Sequence, residues 1–345
     1  MADNYENLAT PELLNAVRND ASDAYRAAVP FATRGNLQDV GNPIMNYKPA
    51  QNEFMDILVN KIIFTLVDRR TWNNPLGILK SGDEPLGTDI EDVHLNPAQA
   101  VDYDGSETGM ADILKEYKPD AASVYYRMNR QDKYRVTINN QQLRRAFTSW
   151  NALENLIAAI VDTLYTGNTI DEFKYTKLIA TSAIAAGRIQ TVSVPNVNSE
   201  ANGKLFMTQL RTLSTLFTFP SDKYNNYILS GGTGNPRISW CPINEQIILV
   251  RADVASAVGV EVMATVFNMD YANYLARQII VDDFGATNTL AIIADRRAFV
   301  IYQQLREFAT FFNASTIGWN YFYHAWDLFA MSPFKNCVAL VEAAP

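Results

Sequence analysis

Histidine and cysteine are common metal ligands and catalytic groups, and the sequence contains two of each. His94 and His324 are far apart, and neither has a neighbouring cysteine or the His-x-x-x-His spacing of a helical metal site. Cys241 and Cys337 lack both metal-ligand and redox spacing, which predicts two reduced thiols. The pattern therefore predicts neither a metal site nor a catalytic triad.

Three short motifs lack residues that their chemistry requires. The Asp-Asp-Phe-Gly sequence at 282–285 contains a kinase-like triplet, but no Gly-rich loop with its lysine precedes it. The Gly-rich segment 230–236 lacks the Lys-Ser or Lys-Thr of a nucleotide loop, so we predict a mobile loop. The spacing of Asp102, Asp104 and Glu107 does not match a calcium-binding loop and predicts an exposed acidic turn. We predict no catalytic, cofactor-binding or metal-binding residue.

Aromatic residues are concentrated in the segment 319–334. Such a run is compatible with a platform on which bases or sugars stack. Strand alternation, however, divides it into two faces: Trp319, Tyr321 and Tyr323 on one, and Phe322, His324 and Trp326 on the other. Two apolar faces indicate a strand buried between a helix layer and a neighbouring subunit.

A basic cluster falls on a strand-like arm and comprises Arg127, Arg130, Lys133 and Arg135. Its default interpretation is a solvated strand edge. The alternative is that these residues are intersubunit contacts, paired with acidic residues of another subunit. The sequence leaves both interpretations open.

Composition limits the partners of the chain. Its 345 residues are 48% hydrophobic, and 29 Lys and Arg against 37 Asp and Glu give a net charge of -8. An acidic surface repels DNA and anionic membranes, so a sequence-reading groove is not expected. Asp3 and Glu6 are charged residues in the region where a secretory signal would be apolar. No stretch of consecutive apolar residues reaches the roughly 18 that a membrane helix needs. We expect a soluble cytosolic protein.

The N-terminal half contains helical periods separated by turn-forming segments. Apolar spacing predicts a helix from Thr10 to Pro30, an extended strap with little structure of its own at 31–49, and a second helix at about 50–62. Turn formers and short alternating pieces follow, and we interpret 71–138 as a long two-stranded excursion. It is too polar to form a core alone.

The C-terminal half is mixed. The strongest helical stretch begins near Asn140, restarts at Ser149 and continues to Gly187, with a kink or break predicted at Gly167. An α+β unit follows, with strands at 189–194 and 246–250 and helices at 203–216 and 252–267. Segments 317–326 and 337–341 indicate strands, whereas 298–312 fits either a strand or a helix.

The order of these elements, together with five short motifs, resembles the major capsid proteins of tailed double-stranded DNA phages. That fold is named after phage Hong Kong ninety-seven, and small short-tailed phages of the phi-twenty-nine type look most similar. The motifs are Asn74-Pro75-Leu76, Gly87-Thr88-Asp89-Ile90-Glu91-Asp92-Val93, Tyr134-Arg135-Val136-Thr137-Ile138, Leu143-Arg144-Arg145-Ala146-Phe147 and Ser332-Pro333-Phe334-Lys335-Asn336.

The resemblance implies an α+β fold with five parts. These would be an N-terminal arm (1–65), an E-loop hairpin (66–138), a peripheral domain with a long spine helix (139–190), an axial domain (191–297) and peripheral-domain strands (298–345). Axial domains would meet at five-fold and six-fold centres. Some relatives join a lysine of the hairpin covalently to a C-terminal asparagine, which makes Lys80 and Asn336 crosslink candidates here.

The resemblance also implies a function. The chain would be no enzyme and would use no cofactor; it would assemble with itself, as pentamers and hexamers, into an icosahedral head around double-stranded DNA. Further partners would be a separate scaffolding protein, a portal and head fibre or decoration proteins. The protein would be part of the virion and would assemble in the host bacterial cytoplasm. Two alternatives stay open: the shell of an encapsulin compartment, and a soluble acidic hydrolase with paired carboxylates.

Overall fold

The computed structural model describes residues 10–65, 72–100, 116–147, 150–258, 278–285 and 288–343. The chain forms two units, and each unit is assembled from separate stretches of sequence. The first unit comprises Met1–Asn74, Arg130–Phe173 and Leu305–Asp327. The second comprises Pro75–Asn129, Lys174–Gln304 and Leu328–Pro345.

The first unit contains helices packed on one face of a sheet. Its helices are α1 (Thr10–Asp20), α2 (Asp23–Ala28), α3 (Leu37–Asn46), α4 (Lys48–Thr65), α5 (Asn140–Ala146) and the first part of α6 (Trp150–Ala185). Its strands are β4 (Arg130–Asn139) and most of β9 (Phe299–Asn313) and β10 (Gly318–Met331), in the order β9-β10-β4.

The N-terminal segment differs from the predicted single helix. A break after Asp20 separates α1 from α2, and Ser22 caps α2 because its hydroxyl accepts a hydrogen bond from the backbone N–H of Tyr25. The same hydroxyl donates to Glu53 of α4. Capping and this tertiary contact favour the break over a continuous helix.

The predicted strap at 31–49 is wrong over most of its length, because it contains α3. Leu37, Val40, Gly41 and Ile44 recur at helical spacing and are buried. A Cβ at Gly41 would lie 3.0 Å from Cδ1 of Phe147, so a larger residue would force the Phe147 side chain to shift. Burial of this face offsets the cost of Pro43 inside the helix.

The sheet of the first unit provides one half of a hydrophobic core. Trp319, Tyr321, Tyr323 and Ala325 of β10 and Ile138 of β4 are buried in one cluster with α1 to α5. Strands β4 and β10 are antiparallel. The prediction that Trp319, Tyr321 and Tyr323 share a face against a helix layer is confirmed.

Helix α6 is one continuous element, as predicted for one long helix, and of the two alternatives at Gly167 a break does not occur. Gly167 lies close to β4: a Cβ there would be 3.3 Å from Cδ1 of Tyr134. The glycine therefore serves helix-to-sheet contact and does not end the helix. The ambiguous segment 298–312 is the strand β9.

The second unit contains a five-stranded mixed sheet in the order β5-β11-β8-β6-β7. Its elements are β5 (Gln190–Val194), α7 (Glu200–Leu216), β6 (Gln246–Arg251), α8 (Ala252–Val258), β7 (Gln278–Val281), β8 (Thr289–Asp295) and β11 (Cys337–Glu342). Buried residues of α7, α8 and the sheet form a second core. The remainder of the predicted helix at 252–267 lies outside the described residues.

A two-stranded antiparallel sheet in the second unit, called the arm below, is formed by β2 (Ile90–Leu95) and β3 (Ala121–Tyr126). Short β1 (Gly82–Asp83) pairs with the beginning of β9. The predicted excursion at 71–138 was too long, because β4 belongs to the other sheet, where its apolar face is buried. Among the helices in the described ranges, none is long and apolar enough to cross a membrane.

Candidate functional site

A buried ion network is centred on Arg130 and Asp327, which are direct cross-strand partners of β4 and β10. Arg130 Nη1 lies 2.7 Å from Asp327 Oδ2, and the two side chains are only 2% and 3% exposed. Arg130 Nε pairs with Asp132 at 2.7 Å. The structure therefore corrects the interpretation of Arg130 as part of a solvated edge: its guanidinium is buried and pairs with acids of its own chain.

The network extends to β9 and α6. Arg306 Nη2 of β9 lies 2.6 Å from Asp327 Oδ1 and 3.1 Å from Glu172 Oε1 of α6. Asn168 accepts a hydrogen bond from Arg130 and donates one to Glu172. Buried charges are tolerated only when they are paired and hydrogen-bonded in this way. The arrangement joins four elements and fixes their register, which is a structural role.

Asp327 is not among the residues predicted from the sequence, although its position along β10 indicates a buried charge. In β10, Asp327 is an even number of positions from the buried Trp319, Tyr321 and Tyr323, so it lies on the same face of the strand. In β4, Arg130 lies on the same face as Ile138 for the same reason. Because alternate residues share a face of a strand, a charge on each core-facing side indicates an internal pair.

The other basic residues of the predicted cluster are exposed and lie apart from the network. Arg127 is 83% exposed and pairs with Asp89 at 2.9 Å across the base of the arm. Lys133 and Arg135 alternate with the core-facing residues of β4 and point to its other face. As intersubunit contacts, these three residues stay predictions.

The arm formed by β2 and β3 is anchored to the second unit by Asp120. Its carboxylate accepts hydrogen bonds from Asn96 at 2.8 Å, Arg237 at 2.8 Å and Asn235 at 3.2 Å. These donors hold the pKa of Asp120 below its ordinary value. Arg237 is 3% exposed, and its guanidinium lies 5.1 Å from the ring centre of Tyr227. The anchor connects the arm to the Gly-rich segment 230–236.

One face of the arm contacts the turn at 331–334. Asp92 accepts a hydrogen bond from the Ser332 hydroxyl, and the His94 ring stacks on Phe334 with centroids 5.4 Å apart. Burial lowers the pKa of His94, and the nearby cations lower it further. His94 is thus a packing residue.

Asn336 and Lys80, the crosslink candidates, differ in accessibility. Asn336 is 1% exposed; its amide oxygen accepts a hydrogen bond from Ser239, and its amide nitrogen donates to the Phe217 carbonyl. Lys80 is half-buried. A crosslink would need the Asn336 amide to become accessible, so burial argues against it and the crosslink stays a prediction.

The remaining motifs supply no reactive constellation in the described ranges. Cys241 and Cys337 are free and buried, and burial raises the pKa of both thiols. Asp282 of the kinase-like triplet pairs with Lys177. No group of three His, Cys, Asp or Glu that could hold a metal occurs among the described residues, and Asp102, Asp104 and Glu107 lie outside them.

The comparison that decides the family is a match to a family model. The model described as "Phi29-like phage major capsid protein" matches residues 14–341 of this chain. The chain belongs to the Phi29-like phage major capsid protein family. The family resemblance inferred from the sequence motifs is therefore confirmed, and the encapsulin and hydrolase alternatives are not supported.

Individual relatives agree with the family. The major capsid protein of Bacillus phage B103 is 30% identical over 331 residues, which cover 96% of this chain and 72% of that one. The major capsid protein of Streptococcus phage Cp-1 is 26% identical and aligns over 94% of this chain and 92% of that one. A chain of the Staphylococcus phage Andhra capsid has the same fold, with a TM-score of 0.62 at 17% identity, covering 79% of this chain and 85% of that chain.

This Phi29-like capsid protein is thus a structural, non-enzymatic shell subunit of a phage head. It assembles with copies of itself and is a component of the virion. The α+β capsid fold predicted from the order of elements is confirmed. The buried ion network and the anchored arm are therefore structural parts of a shell subunit and not parts of an active site.

Proposed function

We propose that the subunit builds a closed icosahedral head from pentamers and hexamers and that this head encloses double-stranded DNA. The observation that carries the proposal is an exposed apolar face on the arm. Val93, Leu95 and Tyr125 are 51%, 58% and 63% exposed, and the register of β2 and β3 puts them on one face. Exposed apolar groups on a two-stranded sheet, which is marginally stable alone, favour burial against another subunit.

The five-part division implied by the resemblance gives each segment a role in such a head. We propose that 1–65 acts as the N-terminal arm and that 66–138, apart from β4, acts as the E-loop, and that both contact neighbouring subunits. Residues 139–190 and 298–345 would form the peripheral domain, and 191–297 the axial domain at the symmetry centres. Each unit has its own core, but the units do not follow these boundaries, because β4 belongs to the first unit and β11 to the second.

Arg127, Lys133 and Arg135 are proposed as contacts to acidic residues of neighbouring subunits. They are exposed cations on a chain with a net charge of -8, so acidic partners are abundant on every copy. An exposed ion pair contributes little by itself, about 0–1 kcal/mol. Symmetry repeats each contact throughout a shell, so weak pairs become effective together.

Further partners follow from the same proposal. We expect a separate scaffolding protein, a portal, head fibre or decoration proteins, and assembly in the host bacterial cytoplasm. Packaged DNA would contact the shell without sequence-specific recognition, since the net charge of -8 opposes close binding of a polyanion.

Negative-stain electron microscopy after gradient sedimentation tests the proposal, with and without the products of neighbouring genes. We expect closed shells or five- and six-membered rings, and nuclease-protected DNA in heads recovered from infected cells. Small soluble particles under every condition would contradict it, and an enzyme cargo in place of DNA would indicate a compartment shell. The same particles test the Lys80 and Asn336 crosslink, because denatured shells that give only monomer mass would exclude it.

A further inference from the structure

A cavity of about 570 Å³ lies within the second unit. Its wall is formed by the start of β2, the first part of β9, the turns at 79–81, 244–245 and 296–297, and Lys335. Cavities of this size are typical of small-molecule sites. The buried ion network belongs to the first unit, so the two features share no residue.

Four cationic side chains line the cavity against three carboxylates, and each carboxylate already has a partner in the protein. Glu91 accepts a hydrogen bond from a tyrosine hydroxyl of β3 at 2.7 Å, and Asp92 accepts one from a serine hydroxyl. Glu245 pairs with Arg297 at 2.8 Å. The acids are therefore engaged, and a cationic ligand would have to compete with these contacts.

The cations of the cavity are only partly compensated. Arg297 pairs with Glu245 and also with the buried Asp295 at 3.1 Å. Arg296 and Lys335, in contrast, have no ion-pair partner among the residues that the structure describes. A cavity whose acids are engaged and whose cations are uncompensated favours an anion, even on a chain with a net charge of -8.

The surroundings of Lys335 support a positive field at this place. Burial lowers the pKa of His94, and Lys335 is the largest of the nearby charges that lower it further. Leu79 and Val300, which are both buried, contribute apolar surface to the wall. Apolar surroundings screen charges less than water does, so the cations attract an anion more strongly here than on an open surface.

The set of donors fits a ligand that carries several phosphate oxygens. The planar guanidinium of Arg296 can bind two oxygens of one phosphate, whereas the ammonium groups of Lys335 and Lys80 act as point charges. Asn244 and Tyr302 bring neutral donor groups to the same wall. A single carboxylate would satisfy only part of this set, and a nucleic-acid duplex is too wide to enter the cavity.

We propose that this cavity is a binding site for a small oligophosphate anion, with Arg296 and Lys335 as its principal contacts. Lys80, Asn244 and Tyr302 complete the donor set. The bound anion connects β2, β9 and the turn that contains Lys335, and it thereby stabilises the second unit. The site does not depend on the proposed head, because it is formed within one unit of a single chain.

Titration calorimetry of the full-length, unassembled protein with sodium tripolyphosphate tests the site. We expect saturable binding at one site per chain. Arg296→Ala with Lys335→Ala should weaken binding by roughly ten-fold or more, because hydrogen bonds to charged groups are lost. Arg296→Lys with Lys335→Arg should retain most of the affinity. The control Lys48→Ala with Arg144→Ala removes the same charge from exposed positions of the first unit and should bind like the wild type.

A variant with the opposite expected effect separates cavity electrostatics from general damage. Glu91→Gln keeps an acceptor for the tyrosine hydroxyl but removes a negative charge from the cavity wall. Its affinity for tripolyphosphate should therefore rise by about two- to three-fold. Thermal unfolding of each variant without ligand excludes misfolding as the cause of a changed affinity.

Two further readouts need no variant. Tripolyphosphate should protect Lys335, but not Lys48, from acylation, as measured by peptide mass spectrometry. It should also shift the imidazole NMR resonances of His94 and leave those of His324, which lies in the first unit, unchanged.

No saturable binding of tripolyphosphate by the wild type would overturn the proposal, as would an equal loss of affinity in the control variant. Binding of duplex DNA without binding of tripolyphosphate would also overturn it and would assign the cavity to a nucleic acid. A nucleoside triphosphate that binds as tightly as tripolyphosphate would support recognition of the phosphate chain alone. None of these outcomes depends on whether shells form.

Discussion

Replacing Asp327 by alanine should strongly destabilise the first unit. The carboxylate bridges Arg130 at 2.7 Å and Arg306 at 2.6 Å, and its side chain is 3% exposed. Without it, two guanidinium groups remain in a buried site with one anion fewer. Removal of one partner from a buried ion pair costs about 3–5 kcal/mol, because the remaining charge stays desolvated.

Urea denaturation of the unassembled protein measures this cost, followed by tryptophan fluorescence, since the buried Trp319 reports on the first unit. With an m-value of about 2 kcal/mol/M, the midpoint should fall by roughly 1.5–2.5 M urea. The exposed pair of Arg26 and Asp23 provides the control, and Asp23→Ala should cost at most about 1 kcal/mol.

A double-mutant cycle with Arg130→Ala then isolates the pair. We expect the combined variant to cost less than the sum of the single variants, because the second change removes a charge that the first left unpaired. A midpoint shift below about 0.5 M urea for Asp327→Ala, or strict additivity with Arg130→Ala, would refute the argument that the network is desolvated and coupled.

Three further predictions concern packing, pH and thiol reactivity. Gly41→Ala should lower the free energy of unfolding by about 1–3 kcal/mol, because the added Cβ overpacks against Phe147. Gly35→Ala, whose added Cβ has no atom within 4 Å, should be nearly neutral, and thermal unfolding of both variants measures the difference. The ionised Asp120 carboxylate stabilises the folded protein at pH values above its unfolded-state pKa, and this stabilisation should disappear as the pH falls through its lowered folded-state pKa. Amide hydrogen exchange in β2 and β3 should therefore become faster at low pH. The variant Asp120→Asn should remove this pH dependence of the exchange rate. Cys241 and Cys337 are buried with raised thiol pKa values, so iodoacetamide should modify them only when the protein unfolds; rapid labelling of the native protein would contradict their burial.

Periodic elements were predicted well because their signals are local. The long helix, the strands β5, β6 and β11 of the five-stranded sheet and the two faces of β10 follow from spacing that a single segment contains. Errors occurred where tertiary contacts compete with local preference. The break before α2 depends partly on Glu53, and α3 forms despite Pro43 because its apolar face is buried.

The buried ion network shows the same difference between what local sequence predicts and what tertiary contacts decide. On sequence alone, Arg130 is grouped with three exposed cations because the four residues are close in sequence. Among them, only Arg130 lies on the core-facing side of β4. Its partner Asp327 is 197 positions away, and no local pattern specifies that separation. Pairing between them depends on the register of β4 and β10.

The sequence by itself determined the family, the α+β class, the two faces of β10 and the acidic character that opposes tight nucleic-acid binding, because each depends on residue type and spacing along the chain. Only the tertiary structure decided which charges are buried, where the arm is anchored and which side chains of the sheet remain uncovered. These properties depend on contacts between distant segments, whose pairing is set by the packing of the folded chain rather than by local sequence.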